Sequence, residues 1–599
     1  MLDMRLARFA APAVLILLAG FLTGTGASAA APAYAVDRLW GADRFATAVA
    51  VSQRYYPAPG VPVVYVANGM DFPDALSAAP AAARQGGPLL IVRPDAIPAA
   101  ISAELDRLSP QKIVVVGGPS VVSDQVYADL AARTASITRL AGPDRYQTSL
   151  AISRYAFPAG SSPQAYLATG RNFPDALAAA GAAGAASAPV ILVDGLSTSG
   201  PSAAVTTELN RLGVTKVLLA GGTPVVYPQL ERGLKQTYQV ERYAGADRYG
   251  TSGVVNRESF PSATHIFLAT GAAFPDALTA AAVAGARHEP LYVSPTNCVP
   301  PYLREDLETR GVTSVTLIGS TGVLGGGAEA LNRCPLPGWL AKLNQVRGQA
   351  NLPALVEDPR FSGDIAAHVF YLRRTGQFQH DEDPGNQWYT ERGALGGYAN
   401  LISGGGLRTE NWLNGPFHLA AFLHSGVNAA GGYGDSIAGE GTRWIEPGAT
   451  GVLAEPVTGG WPRTWPSGST VLPGELTVIG NEWPSPVSSC GTVYTERFKD
   501  MFPQIGIPLY VAFDPDGPPI TTATATVKRG STTLPSCVVT GASYTNPNAS
   551  EQALGRSILN AHNSMYVVPR DPLALNTTYT LTVTTNLGSV STTVRVGGQ

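Results

Sequence analysis

The chain has 599 residues, 45% apolar and 14% charged, with 66 glycines and 48 prolines. That apolar share excludes a disordered chain, and the length predicts about three to four domains of roughly 150 residues each. A net charge of −3 excludes whole-molecule attraction to nucleic acid or anionic membranes. At the start, "MLDMRLARFAAPAVLILLAGFLTGTGASAA" places Arg5 and Arg8 ahead of an apolar run and then small residues, which predicts a secretory signal peptide over residues 1–30. No later stretch is apolar enough to span a membrane and no lipobox cysteine follows, so the mature chain is expected to be exported, without a membrane span, and anchored only by binding.

Next comes a repeat with a period of about one hundred residues. "RLWGADRFATAVAVSQRYYP" from Arg38 returns from Arg139 and Arg242, "FPDAL" from Phe72 returns at Phe173 and Phe274, and "KIVVVGGPSVVS" returns as "KVLLAGGTPVVY" and more loosely as "SVTLIGSTGVLG". Short apolar runs such as Val63 to Val66, Leu89 to Val92 and Ile113 to Val116 alternate with helical spacing, the pattern of an open parallel sheet covered on both faces. In FPDAL the proline suits the first helical position, the aspartate faces the positive helix end, and the alanines allow close packing. Asp43, Asp144 and Asp247 are predicted helix caps.

Three tandem copies of these motifs resemble the cell-wall-binding repeat 2 family of Gram-positive surface proteins, over 36–136, 137–239 and 240–335. The resemblance implies non-covalent attachment to an anionic wall polymer or peptidoglycan, and hence polysaccharide binding at the cell surface. Arg44, Arg145 and Arg248 are the repeated basic candidates for polymer contact, and equally candidates for buried partners of the neighbouring aspartates.

After "NRCPLPG" the pattern changes, and Leu340, Leu343 and Val346 share one helical face while Phe361, Ile365, His368, Val369 and Leu372 share another. His368 falls among apolar positions and reads as a satisfied core histidine. Residues 339–460 resemble the CAP, or SCP-like, superfamily through "LNQVRGQANLPAL", the "HDED" loop and "WLNGPFH". That resemblance implies an α-β-α sandwich with a cleft of two histidines and two glutamates. His380 and His418 match the histidines, but "GGYANL" puts Ala399 where a glutamate is expected, and Glu391 stands in as the other carboxylate. Imidazole and carboxylate both suit zinc, so His380, Glu391 and His418 are candidate ligands for zinc or another divalent metal, although no cofactor is required.

From about Thr470 the chain is rich in Thr, Val and Pro, and the alternation in "TTYTLTVTTNLGSVSTTVRV" predicts an antiparallel sandwich over 470–599. Its late strands resemble immunoglobulin-like or fibronectin-type-III-like domains. Four cysteines in an exported chain predict two disulfides. Cys298 is expected to pair with Cys334 and Cys490 with Cys537, because each pair lies inside one domain. The fold class expected is therefore three α/β repeats, a CAP-like α-β-α sandwich and an all-β sandwich. With no recognisable amidase, glucosaminidase or peptidase motif, the balance of signals favours a wall-held display module over an enzyme, the alternative being a peptidoglycan hydrolase, a modifier of one, or a CAP module binding a small apolar ligand.

Overall fold

The computed structural model describes residues 34–71, 73–377, 379–398, 400–402, 423, 429–435, 439–444, 462–465, 471–472, 485–498 and 505–597. The expected signal peptide, Ala399 and His418 lie outside the described residues. In the first repeat the elements run β1 (Ala35–Leu39), α1 (Arg44–Tyr55), β2 (Val64–Asn68), α2 (Pro73–Gln85), β3 (Leu89–Val92), α3 (Ala99–Leu108), β4 (Ile113–Val116) and α4 (Asp124–Ala131). The second repeat follows the same order with β5 (Ile137–Leu140), α5 (Arg145–Ala156), β6 (Gln164–Thr169), α6 (Pro174–Ala185), β7 (Val190–Val193), α7 (Ala203–Leu212), β8 (Lys216–Ala220) and α8 (Pro228–Lys235). The third runs β9 (Gln239–Tyr243), α9 (Arg248–Ser259), β10 (His265–Thr270), α10 (Pro275–Arg287), β11 (Leu291–Ser294), α11 (Pro301–Thr309), β12 (Ser314–Ile318) and α12 (Gly326–Glu329).

The sheets are cut differently from the sequence repeats. Their orders are β3-β2-β4-β5, β7-β6-β8-β9 and β1-β12-β10-β11, all parallel. The first strand of each repeat thus completes the sheet of the repeat before it, and β1 closes the set by joining the third sheet. An arginine fastens each borrowed strand. Arg38, Arg139 and Arg242 donate Nη1 to the carbonyls of Gly319, Gly117 and Gly221 at 2.7, 3.0 and 2.7 Å. Each also pairs with an acid on the last helix of that neighbouring unit, Glu329, Asp124 and Glu231 respectively. These three glycines have φ of 119°, 107° and 118°, a region closed to most other side chains, which is why each of these turns needs a glycine at this place.

The FPDAL helices α2, α6 and α10 pack on one another at the centre. Their alanines are buried almost without exception, and the tightest approach joins Ala83, Gly184 and Gly285, which occupy equivalent places in the three helices. A methyl group added at Gly184 would lie 2.9 Å from the Gly285 Cα and 3.2 Å from the Ala83 Cβ. Small residues are needed here because helix axes this close leave no room for a larger side chain.

The chain continues through α13 (Gly338–Gln349), β13 (Val356–Glu357), α14 (Pro359–Thr375), α15 (Glu391–Tyr398), β14 (Asn400–Ile402), β15 (Ala429–Asp435) and β16 (Gly439–Trp444). These strands form the order β13-β15-β16-β14. Beyond them, β17 (Arg463–Trp465), β18 (Val471–Leu472), β19 (Leu509–Ala512), β20 (Ala523–Arg529), β21 (Thr532–Leu534), β22 (Ser536–Thr540), β23 (Ser564–Pro569), β24 (Thr578–Thr585) and β25 (Gly588–Val596) make two sheets, β17-β19-β23-β22 and β18-β25-β24-β20-β21. This largely antiparallel C-terminal region fits an all-β sandwich. Disulfides join Cys298 to Cys334 and Cys490 to Cys537.

Because the three central helices share one contact, overpacking it should be felt by the whole ring. Gly285→Val is expected to cost about 3 kcal/mol, the upper end for core overpacking, and to lower one common unfolding transition of all three repeats. Calorimetry checks this, and separate transitions with only the third shifted would contradict it.

Candidate functional site

In each sheet the chain leaves the central strand toward one side and returns on the other, so a crevice opens beyond the carboxyl ends of the strands at that switch point. At the first junction, between repeats one and two, the crevice encloses about 160 Å³ and is lined by Asn68, Asp71, Asp74, Ser120, Asp144 and Arg145 among others. Its walls come from two repeats. The first supplies the β2 end, the α2 start and the turn after β4, and the second supplies the loop that opens α5.

The cap aspartates set that loop. Asp43, Asp144 and Asp247 accept from the backbone N–H of Ala46, Gln147 and Gly250 at 2.8 Å each, as expected of helix N-caps. The next residue in each case is the candidate arginine. Arg44, Arg145 and Arg248 donate Nη1 to the carbonyls of Gly69, Gly170 and Gly271, all at 2.7 Å. Their charge is felt by the FPDAL aspartate of the preceding repeat: Arg145 acts on Asp74, Arg248 on Asp175 and Arg44 on Asp276. The relation closes on itself, third repeat to first.

Burial dominates those aspartates. It raises Asp74 above the usual carboxylate range, against the Thr148 hydroxyl and Arg145. Burial likewise pushes Asp175 up to about 6 against Thr251 and Arg248, and Asp276 up to about 6 against Arg44. Desolvation thus outweighs a nearby cation at all three sites. Sequence reasoning placed these aspartates at helix starts and missed that each faces the arginine of the next repeat. The signal was present, since FPDAL and the Asp-Arg pair recur in step.

Of the remaining candidates, the described His380 and Glu391 have separate partners. His380 lies with Nδ1 3.0 Å from the Gly397 carbonyl oxygen, while Glu391 is 72% exposed and pairs with Lys235 of α8 at 3.0 Å. Among the described residues, no group of three or more metal-ligating side chains forms. His368 is fully buried, with Nδ1 3.0 Å from Glu382 Oε1 and Nε2 3.0 Å from the Gln379 carbonyl.

The C-terminal half is seated on the ring through α14. A methyl group at Gly363 would lie 2.3 Å from the Ala244 carbonyl oxygen, and Pro359 packs against Gly250 and Gly253 of α9. Further along, the Arg374 guanidinium lies 4.5 to 5.1 Å from the ring centres of Trp388, Phe370 and Tyr227, and Arg232 donates to the Asn386 carbonyl at 3.1 Å.

Residues 38–127, 139–231 and 242–328 match the model of the family Cell wall binding domain 2 (CWB2). The chain carries three tandem CWB2 repeats. These repeats mark a secreted protein of the cell wall and cell surface, and no helix among the described residues is long and apolar enough to cross a membrane. N-acetylmuramoyl-L-alanine amidase LytC of Bacillus subtilis is 24% identical over 286 residues, 48% of this chain and 55% of that protein. Amidase enhancer of the same organism is 27% identical over 306 residues, 50% of this chain and 40% of that protein. Cwp6 from Clostridium difficile, a solved structure, is 23% identical with a TM-score of 0.47, covering 57% of this chain and 58% of that one. The chain spans about half the length of the relatives it matches. The expectation of a display module that is not an enzyme is corrected here, because two relatives named for amidase chemistry point to a function linked to hydrolysis.

A carboxyl with a raised folded-state value stabilises the protein below its ordinary value near 4, and that contribution is lost as pH rises through the folded value. Asp175→Asn with Asp276→Asn should therefore flatten the change in thermal midpoint between pH 5 and pH 7. Equal pH sensitivity in the variant and the parent would contradict the assignment.

Proposed function

We propose that the three repeats hold the chain to an anionic wall polymer and that the chain acts in peptidoglycan hydrolysis, as a wall-held hydrolase or as a modifier of one. The observation that carries this reading is the joining of three CWB2 repeats with likeness to an amidase and to an amidase enhancer. Arg44, Arg145 and Arg248 are the polymer contacts in this reading, and their charge offsets the aspartates that would otherwise repel an anionic chain. Residues 339–460 are the CAP-like module, with α14 packed against β15 and β16 and α15 packed on α14, and residues 470–599 are the immunoglobulin-like or fibronectin-type-III-like module. Seating α14 on the third repeat holds the CAP-like module at a fixed distance from the wall, which gives the polymer grip a use beyond anchoring.

The test combines purified full-length protein with isolated walls and measures retention and the release of soluble muropeptides, with and without an added amidase. Retention together with release, either by the chain alone or as an acceleration of the added amidase, is expected. Retention with no effect on release under either condition would overturn the hydrolytic part. The triple variant Arg44→Ala, Arg145→Ala, Arg248→Ala should lose retention in a salt-dependent way.

A divalent metal at His380, Glu391 and His418 belongs to the same reading. Since Lys235 holds the Glu391 carboxylate, zinc affinity measured by calorimetry is expected to be weak, to fall in His380→Ala and to rise in Lys235→Ala. Unchanged affinity in both variants would remove these residues from the site.

A further inference from the structure

The three junctions share one frame and differ at one place in it. Gly117, Gly221 and Gly319 each donate a backbone N–H to the last residue of the borrowed strand, Leu140, Tyr243 and Leu39, at 2.9 Å. The residue that follows is Ala141, Ala244 and Trp40 respectively. Ala244 lies beneath α14, whereas Trp40 is 56% exposed. Four residues on, Arg44 reaches across to the Gly69 carbonyl, and the neighbouring Met70 is 50% exposed. The counterparts of Met70 are Arg171 and Ala272. Two large apolar side chains therefore stand in solvent on the two loops that Arg44 ties together, and neither has an equivalent at the other junctions.

The carboxylate of the third repeat at this junction supplies a second observation. Asp276 lies against Gly319, where an added methyl would stand 2.8 Å from its Oδ2. The Thr148 and Thr251 hydroxyls of the next repeat oppose the effect of burial on Asp74 and Asp175. At Asp276 the influence opposing burial is the Arg44 charge. A half-buried carboxylate accepts readily from hydroxyl donors. An exposed indole offers a flat face on which ring C–H groups pack, and an arginine offers donors to hydroxyl oxygens. A sugar ring meets all three at once, with its face on the indole, a hydroxyl donating to the carboxylate and another accepting from the guanidinium.

We propose that the junction between the third and first repeats is the selective sugar site of the ring, where a pyranose unit of the wall polymer stacks on Trp40 and bonds to Asp276 and Arg44. This rests on the reading that the repeats bind wall polymer. The junction between repeats one and two then contributes grip without selectivity, and the loop that walls the junction between repeats two and three carries the C-terminal half.

Retention of the full-length protein on isolated walls is measured beside its intrinsic fluorescence during titration with glycan released from those walls. Trp40→Ala is expected to weaken retention about tenfold, the size of one good stacking contact, with the thermal midpoint unchanged because the indole is exposed. Trp40→Phe should keep most of the retention yet lose the glycan-induced fluorescence change seen in the parent. Asp276→Asn should weaken binding of the glycan. If Trp40→Ala and Asp276→Asn bind as the parent does while the triple arginine variant is weakened, the sugar site is wrong and the polymer reading stands. If none of these variants is weakened, both fall.

Discussion

The close approach of Ala83, Gly184 and Gly285 governs the rest of the structure. It brings three helices together along one line, and that requires three copies of a segment rich in alanine and glycine beginning at the same height. Pro174 and Pro275 start two of the helices at equivalent places, and Pro73 begins the third. Once the helices are fixed, their N-terminal aspartates face the arginine of the next repeat, and the crevices form where two repeats meet. Each borrowed strand follows from the same constraint, because a sheet built around each central helix has an edge that the next repeat is positioned to cover. Covering it also removes an exposed strand edge.

A threefold frame need not give three equal sites. The loop after β9 is used on its outer side by α14, and the carboxylate of Glu357, just before that helix, is pushed up to about 7 by burial, with Asp247 and Asp358 adding to the effect. The cap of α9 thus lies between a crevice aspartate on one side and the seat of the C-terminal half on the other. The loop after β1 carries the exposed tryptophan instead, and the loop after β5 carries only Ala141. Duplication supplies the frame, and single side chains divide the work among its junctions.

Much of this was legible in the chain. The repeat, its α/β character, the capping aspartates and the helix-starting prolines each leave a local mark, and local marks survive without an alignment. Ownership of strands did not show, since a cyclic repeat reads the same wherever it is cut and β1 looks like a member of its own repeat. The partnership of Asp276 with Arg44 was hidden for that reason, as it joins residues at opposite ends of the ring. The seat of α14 was hidden as well, because Gly363 sits in a helix where a glycine signals close packing without naming its partner. His380 and Glu391 were read together through the family resemblance, while Lys235, a residue of the second repeat, pairs with the Glu391 carboxylate.

Closure of the ring by β1 is the claim on which the account rests, and hydrogen exchange on a variant carrying Asp37→Pro and Leu39→Pro tests it most directly. Proline removes backbone donors from the borrowed strand and disfavours its pairing. The account predicts faster exchange of amides in Ser314–Ile318 of β12, more than 270 residues away in sequence, with β2 and β4 protected as before. Faster exchange in β2 and β4 with β12 unaffected would show that β1 belongs to its own repeat, and would contradict the closed arrangement.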